Sequence, residues 1–140
     1  MKSRTKARGI ALQVLYEYDL TGHPIGEVME NRFSENQLEA ILQDFVREIV
    51  QGVHPRIEKI DLVISTFAPD WPLDQVASID RNIIRIALWE FAIGKLTPVK
   101  VAINEAVELA KIYGSDSTPR FINGVLGSLV ENIHEIENAL

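Results

Sequence analysis

The chain has 140 residues, no cysteine and a formal net charge of −6. Its length suits one domain that buries roughly two thirds of its unfolded surface. The missing cysteines exclude disulfides, thiolate metal sites and cysteine nucleophiles, and the ordinary apolar content argues against disorder.

Charge is unevenly placed. Lys2, Arg4, Lys6 and Arg8 are all basic and the first acid is Glu17, so removing those four cations leaves −10 on the rest. A basic end on an acidic body suits two partners of opposite sign; equally, short charged termini keep proteins in solution. No apolar run approaches a membrane span and Met1–Arg8 is not followed by a signal-peptide core, so the expected location is the cytoplasm.

In chain order, nearly every signal is helical. Gly and Pro cluster at Thr21–Pro24, Gly52–Pro55, Pro69–Pro72, Gly94–Pro98 and Gly114–Pro119, and between them apolar residues recur at spacings of three and four. In the first helix Ile10, Ala11, Val14, Leu15 and Tyr18 form the inward stripe. Tyr16 projects almost opposite, between Leu12 and Leu20, on a face that is either a second core layer or a docking surface. A short helix near Ile25–Asn31 follows. Leu38, Ile41, Leu42, Phe45, Ile49 and Val53 make the next stripe, and Ile57, Ile60, Ile64 and Phe67 another. Val76 to Ile93 is apolar nearly all round after Ile83, as a central buried helix is, with Asp80 and Glu90 near its apolar side. A carboxylate there is more often paired inside a fold than functional. Val99 to Tyr113 and Ile122 to Ile133 complete the set, with Ser117 or Thr118 as the cap of the last helix and Gly124 read as a close-packing residue inside it. The expected class is all-α, with about seven helices.

Little in the sequence asks for catalysis. His23, His54 and His134 are far apart and none has ligand spacing to a carboxylate, so no metal site and no cofactor are expected. Gly94-Lys95-Leu96-Thr97 lacks the upstream glycine of a phosphate-cradling loop, and no serine sits in a nucleophile elbow. Glu105 and Glu108 read as solvated helix charges, with Glu108 placed to pair with Lys111.

Three strings carry a resemblance. Ile79-Asp80-Arg81-Asn82-Ile83-Ile84-Arg85-Ile86-Ala87, then INEAVELAK from Ile103 to Lys111, then Arg120-Phe121-Ile122-Asn123-Gly124-Val125-Leu126, in this order and spacing, resemble the NusB family. The opening Arg8-Gly9-Ile10-Ala11-Leu12-Gln13-Val14-Leu15-Tyr16 resembles it too, while Thr21 to Pro72 matches only in helical patterning. The resemblance implies one domain, 1–140, of two roughly perpendicular three-helix subdomains, about 1–70 and about 71–140. It implies no enzyme and no cofactor, but a bacterial transcription antitermination factor. Such a factor binds boxA single-stranded RNA cooperatively with the ribosomal protein NusE, within the transcription elongation complex, in support of ribosomal RNA transcription.

Carried over by matching residues, the resemblance implies RNA contacts at Arg4, Lys6 and Arg8, although Thr5 and Gly9 dilute the basic run, and at Arg120 and Phe121. Phe121 lies on the flank of its helix stripe, where a ring either stacks on a base or seals the core edge. Lys100 and Asn104 extend the track or are plain solvated residues. For NusE the matching positions are Tyr16 and Asp80. The rival readings are a detached NusB-like domain of an RNA cytosine methyltransferase, and a helical adaptor or homodimer that binds no RNA.

Overall fold

The computed structural model describes residues 2–140. Eight α-helices account for most of it: α1 Ser3–Thr21, α2 Ile25–Glu35, α3 Ala40–Val53, α4 Ile57–Phe67, α5 Ser78–Leu88, α6 Val99–Tyr113, α7 Thr118–Glu131 and α8 Ile133–Ala139. Among the described residues there is no strand. The all-α expectation holds, with one helix more than the periodicity predicts. The final stripe is broken at Asn132, whose amide bonds back to the Ser128 carbonyl at 3.0 Å while its backbone leaves the helical range at φ −114 and ψ 25.

The breaks do what their residues dictate. Gly22 closes α1 at φ 70, a left-handed conformation that costs glycine nothing, and its N–H bonds to the Tyr18 carbonyl. Pro55 sits in the short tight turn His54–Arg56 between α3 and α4. After Leu88 the helix widens into a π turn, Trp89–Ile93, and the Trp89 ring fills the space beside Gly52 and Gly94, where a Cβ would collide with it.

One apolar cluster runs through every helix. α1 packs on α2 and α3; α5, α6 and α7 pack on one another; and α1 crosses to α5 and α6, joining the two groups. α4 lies against α5, α7 and α8. The packing therefore ends the N-terminal group at α3, near His54, instead of near residue 70. α4 reads as the continuation of α3 in sequence because only a three-residue turn separates them. α1 is also more enclosed than its stripe suggests: residues 7–12, 14 and 15 are all buried, and Leu12, expected beside Tyr16 on the outer face, is fully inside.

Candidate nucleic-acid interface

Two constellations of charge bind α1 to the rest of the fold. At its start, Arg8 is 3% exposed and donates to Glu90 from Nε (2.9 Å) and Nη2 (2.8 Å). Glu90, itself 1% exposed, also accepts from the Thr97 hydroxyl at 2.7 Å, and Glu105 lies 3.6 Å from the other arm of Arg8 while accepting from Thr5. At the end of α1, Asp19 receives Arg85 (2.8 Å), Asn82 (2.9 Å) and Arg81 (3.1 Å), and Arg85 makes a two-bond fork to Asp61. Burial works to raise the Asp19 carboxyl, but the Asn82 hydrogen bond and the Arg85 and Arg81 charges outweigh it and hold Asp19 below the usual carboxylate range.

These placements correct the sequence reading of Arg8. Its guanidinium is matched by two carboxylates inside the molecule, so it is withdrawn from the RNA-contacting set; it anchors the basic arm instead. Glu90 is the internally paired carboxylate that its position on an apolar face implies. Arg4 and Lys6 are exposed, but not side by side: two residues apart on a helix, they project to nearly opposite sides of α1. Arg4 lies over the Phe45 ring, 4.7 Å from its centroid, and Arg8 approaches the same ring at 5.1 Å.

Arg120 and Phe121 come together at the start of α7. Arg120 is exposed, Phe121 is half-buried, and both line a groove of about 670 Å³ with Trp71, Val76, Asp80 and Gly124. Trp71 carries no sequence signal beyond its neighbouring prolines; it reaches the groove because the loop after α4 folds across α7. Asp80, in the first turn of α5, accepts from the Thr118 hydroxyl at 3.1 and 3.3 Å, and burial pushes its carboxyl upward against that hydrogen bond. Its contacts therefore run to α7, in the Phe121 groove, while Tyr16 is half-buried on α1.

Gly124 differs from its sequence reading. It is exposed, and a Cβ there would meet only Trp71, at an ordinary 3.7 Å, so helix packing does not require glycine. It leaves the groove floor open. The Ser117 hydroxyl accepts no capping bond; Thr118 accepts from the Ser115 N–H at 3.0 Å and donates its own proton to Asp80. A second groove, about 700 Å³, lies between the start of α1 and the outer faces of α6 and α7, bordered by Lys2, Thr5, Asn104, Lys111 and Asn123. Lys100 is exposed one turn before Asn104. Asn123 and Gly124, consecutive on α7, line the two grooves, so α7 forms a wall of each. Among the described residues no group of His, Asp or Glu is arranged to hold a metal ion, and no helix is long and apolar enough to cross a membrane.

Comparison with known proteins follows this geometry. The family model described as the NusB family matches residues 5–131. The transcription antitermination protein NusB of Roseiflexus castenholzii is 46% identical over 134 residues, covering 94% of each chain. That of Dehalococcoides mccartyi strain CBDB1 is 43% identical over 136 residues, covering 97% of this chain and 95% of its own. Among solved structures, NusB of T. maritima superposes with a TM-score of 0.85 at 25% identity, over 99% of both chains. A crystal structure of antitermination factors NusB and NusE in complex with dsRNA gives 0.83 at 26% identity, over 100% of this chain and 99% of that one. A chain from a crystal structure of a plectonemic RNA supercoil gives 0.86 at 27%, over 94% and 96%. With matches across the whole helical array, the chain belongs to the NusB family.

Proposed function

We propose that this chain is a transcription antitermination factor of the NusB kind, not an enzyme, that it binds boxA-like single-stranded RNA, and that it does so cooperatively with NusE inside the elongation complex in the cytoplasm. The single observation that carries the reading is the groove in which Arg120, Phe121 and Trp71 meet. An exposed cation beside two partly open aromatic rings is how a protein holds a phosphate and stacks the adjoining base. Arg4, Lys6 and Lys100 add exposed charge elsewhere on the molecule, while Arg8 holds α1 in place without touching the ligand.

The same groove accounts for cooperativity. Asp80, on its wall, attracts a cationic protein, and Phe121, on the same wall, takes RNA. A basic ribosomal protein and an RNA strand seated there become neighbours, so each adds contact surface for the other. Tyr16, half-buried on α1, offers a separate contact for the protein partner. In titrations of a boxA-like RNA with and without NusE, the RNA alone should bind measurably and NusE should tighten it. Tyr16→Ala should leave melting unchanged and weaken NusE binding by about 1–3 kcal/mol. An unaltered NusE affinity with a melting loss makes Tyr16 a core residue and removes it from the partner surface. Light scattering on the free protein tests the homodimer reading, in which this face is closed.

A further inference from the structure

Asn104 and Asn123 have no structural reason to be where they are. Each sits in the interior of a helix, Asn104 in α6 and Asn123 in α7, where asparagine is a poor helix former because its side chain competes for backbone hydrogen bonds. Both are exposed, neither contributes to the core, and neither amide hydrogen-bonds any described residue. Asn82 is tied to Asp19, whereas Asn31 in α2 and Asn138 in α8 are exposed and unbonded as well. Yet the packing of α6 on α7 brings Asn104 and Asn123 to one groove, with Lys2 and Lys111 also on its walls.

On the reading that the protein binds single-stranded RNA, we infer that this second groove reads a base: Asn104 and Asn123 hydrogen-bond the edge of an unstacked adenine while Lys2, and Lys111 once it leaves its exposed 3.5 Å contact with Glu108, hold the flanking phosphates. The chemistry of the walls favours this occupant. Each free amide offers a donor and an acceptor in its own plane, which a base edge can use together, whereas a phosphate, whose oxygens only accept, uses the N–H alone. An asparagine amide pairs with adenine by two bonds at once, taking an N6 proton on its carbonyl oxygen and giving its own N–H to a ring nitrogen. Glu105 and Glu108 line the same groove and repel phosphate, so a strand crosses with its backbone at the lysine rims and a base turned inward. The groove is thus a recognition site separate from the Phe121 groove, where contact is by stacking and insensitive to base identity.

The test uses the full chain and uridine 12-mers that carry at their centre one uridine, one adenosine, or one purine riboside, which lacks the N6 amino group. The adenosine oligomer should bind about five-fold more tightly than the all-uridine one, near the low end of discrimination by a two-bond pair, and purine riboside should lose most of that gain. Asn104→Ala with Asn123→Ala should abolish the preference while leaving affinity for the all-uridine oligomer and its salt dependence in place. Melting of that variant should hold or rise, because alanine is the better helix former. Equal binding of all three oligomers by the parent, or a preference that survives the double variant, overturns this inference and leaves RNA binding standing. A loss of salt slope in the double variant overturns it as well, since the amides would then be serving a phosphate site. Failure to bind any oligomer, with or without NusE, sinks the RNA reading itself and this inference with it.

Discussion

Arg8 and Arg120 each share a site with aromatic rings, and they do opposite things. Arg8 approaches Phe45 and is enclosed: Glu90, Glu105 and Thr97 complete a set in which every charge has a partner. Arg120 lines a groove with Phe121 and Trp71 and is open, with no carboxylate of the described residues within ion-pair distance. In sequence the two look alike, each a basic residue in the first half of a helix and in a family-matching string. What separates them is tertiary: Arg8 meets a carboxylate 82 positions away, and Arg120 meets none. A cation with internal partners positions a helix, whereas a cation without them is available to a ligand.

The comparison breaks most visibly at Arg8. Arg8→Ala leaves Glu90 buried without its counter-charge and should destabilise the fold by about 3–5 kcal/mol. Adding Glu90→Gln should recover much of that loss, since a neutral amide there still accepts from Thr97. Denaturant melts of the single and double variants measure both, and a loss in Arg8→Ala under about 1 kcal/mol contradicts the anchoring role.

The second network sharpens the same point through pH. The folded Asp19 carboxyl lies below its unfolded value, so the stability it contributes is present above the unfolded carboxylate range and is lost as pH falls through the folded one. Asp19→Asn should cost about 1.5–3 kcal/mol near neutrality and flatten the acid limb of a melting-versus-pH curve. An acid limb as steep as that of the parent places the responsible carboxylate elsewhere.

On the open side, Phe121→Ala should weaken RNA binding by about 1–3 kcal/mol while its salt dependence stays nearly constant, because stacking releases few counterions. The smallest change is expected at Gly124. Gly124→Ala meets only Trp71 at contact distance, so it should stabilise α7 by up to about 1 kcal/mol and, by narrowing the groove, bind RNA more weakly. A gain in stability with unchanged RNA affinity would place the strand off the groove floor.

How far the sequence carries the structure follows from which interactions are local. Helix periodicity and the Gly and Pro clusters locate α1 to α7 because those signals act over a few residues. The break at Asn132, the π turn after Leu88 and the allegiance of α4 depend on what each segment packs against, and no spacing announces them. The same holds at the site. Arg120 and Phe121 are adjacent in sequence and remain together in space. Trp71 joins them from a loop with no motif, and Arg8 leaves the set because Glu90 claims it. Asn104 is legible as a polar helix position, while its meeting with Asn123 needs α6 packed on α7.

RNA is held, on this account, by exposed cations that have no carboxylate partner inside the fold. The direct measurement is the affinity for a boxA-like single strand as a function of salt, for the parent and for Arg120→Ala. If Arg4, Lys6 and Arg120 each neutralise a phosphate, log affinity against log salt should slope near −2, and Arg120→Ala should bring it to about −1.4. A slope near zero in the parent, or one that Arg120→Ala leaves unchanged, contradicts the account.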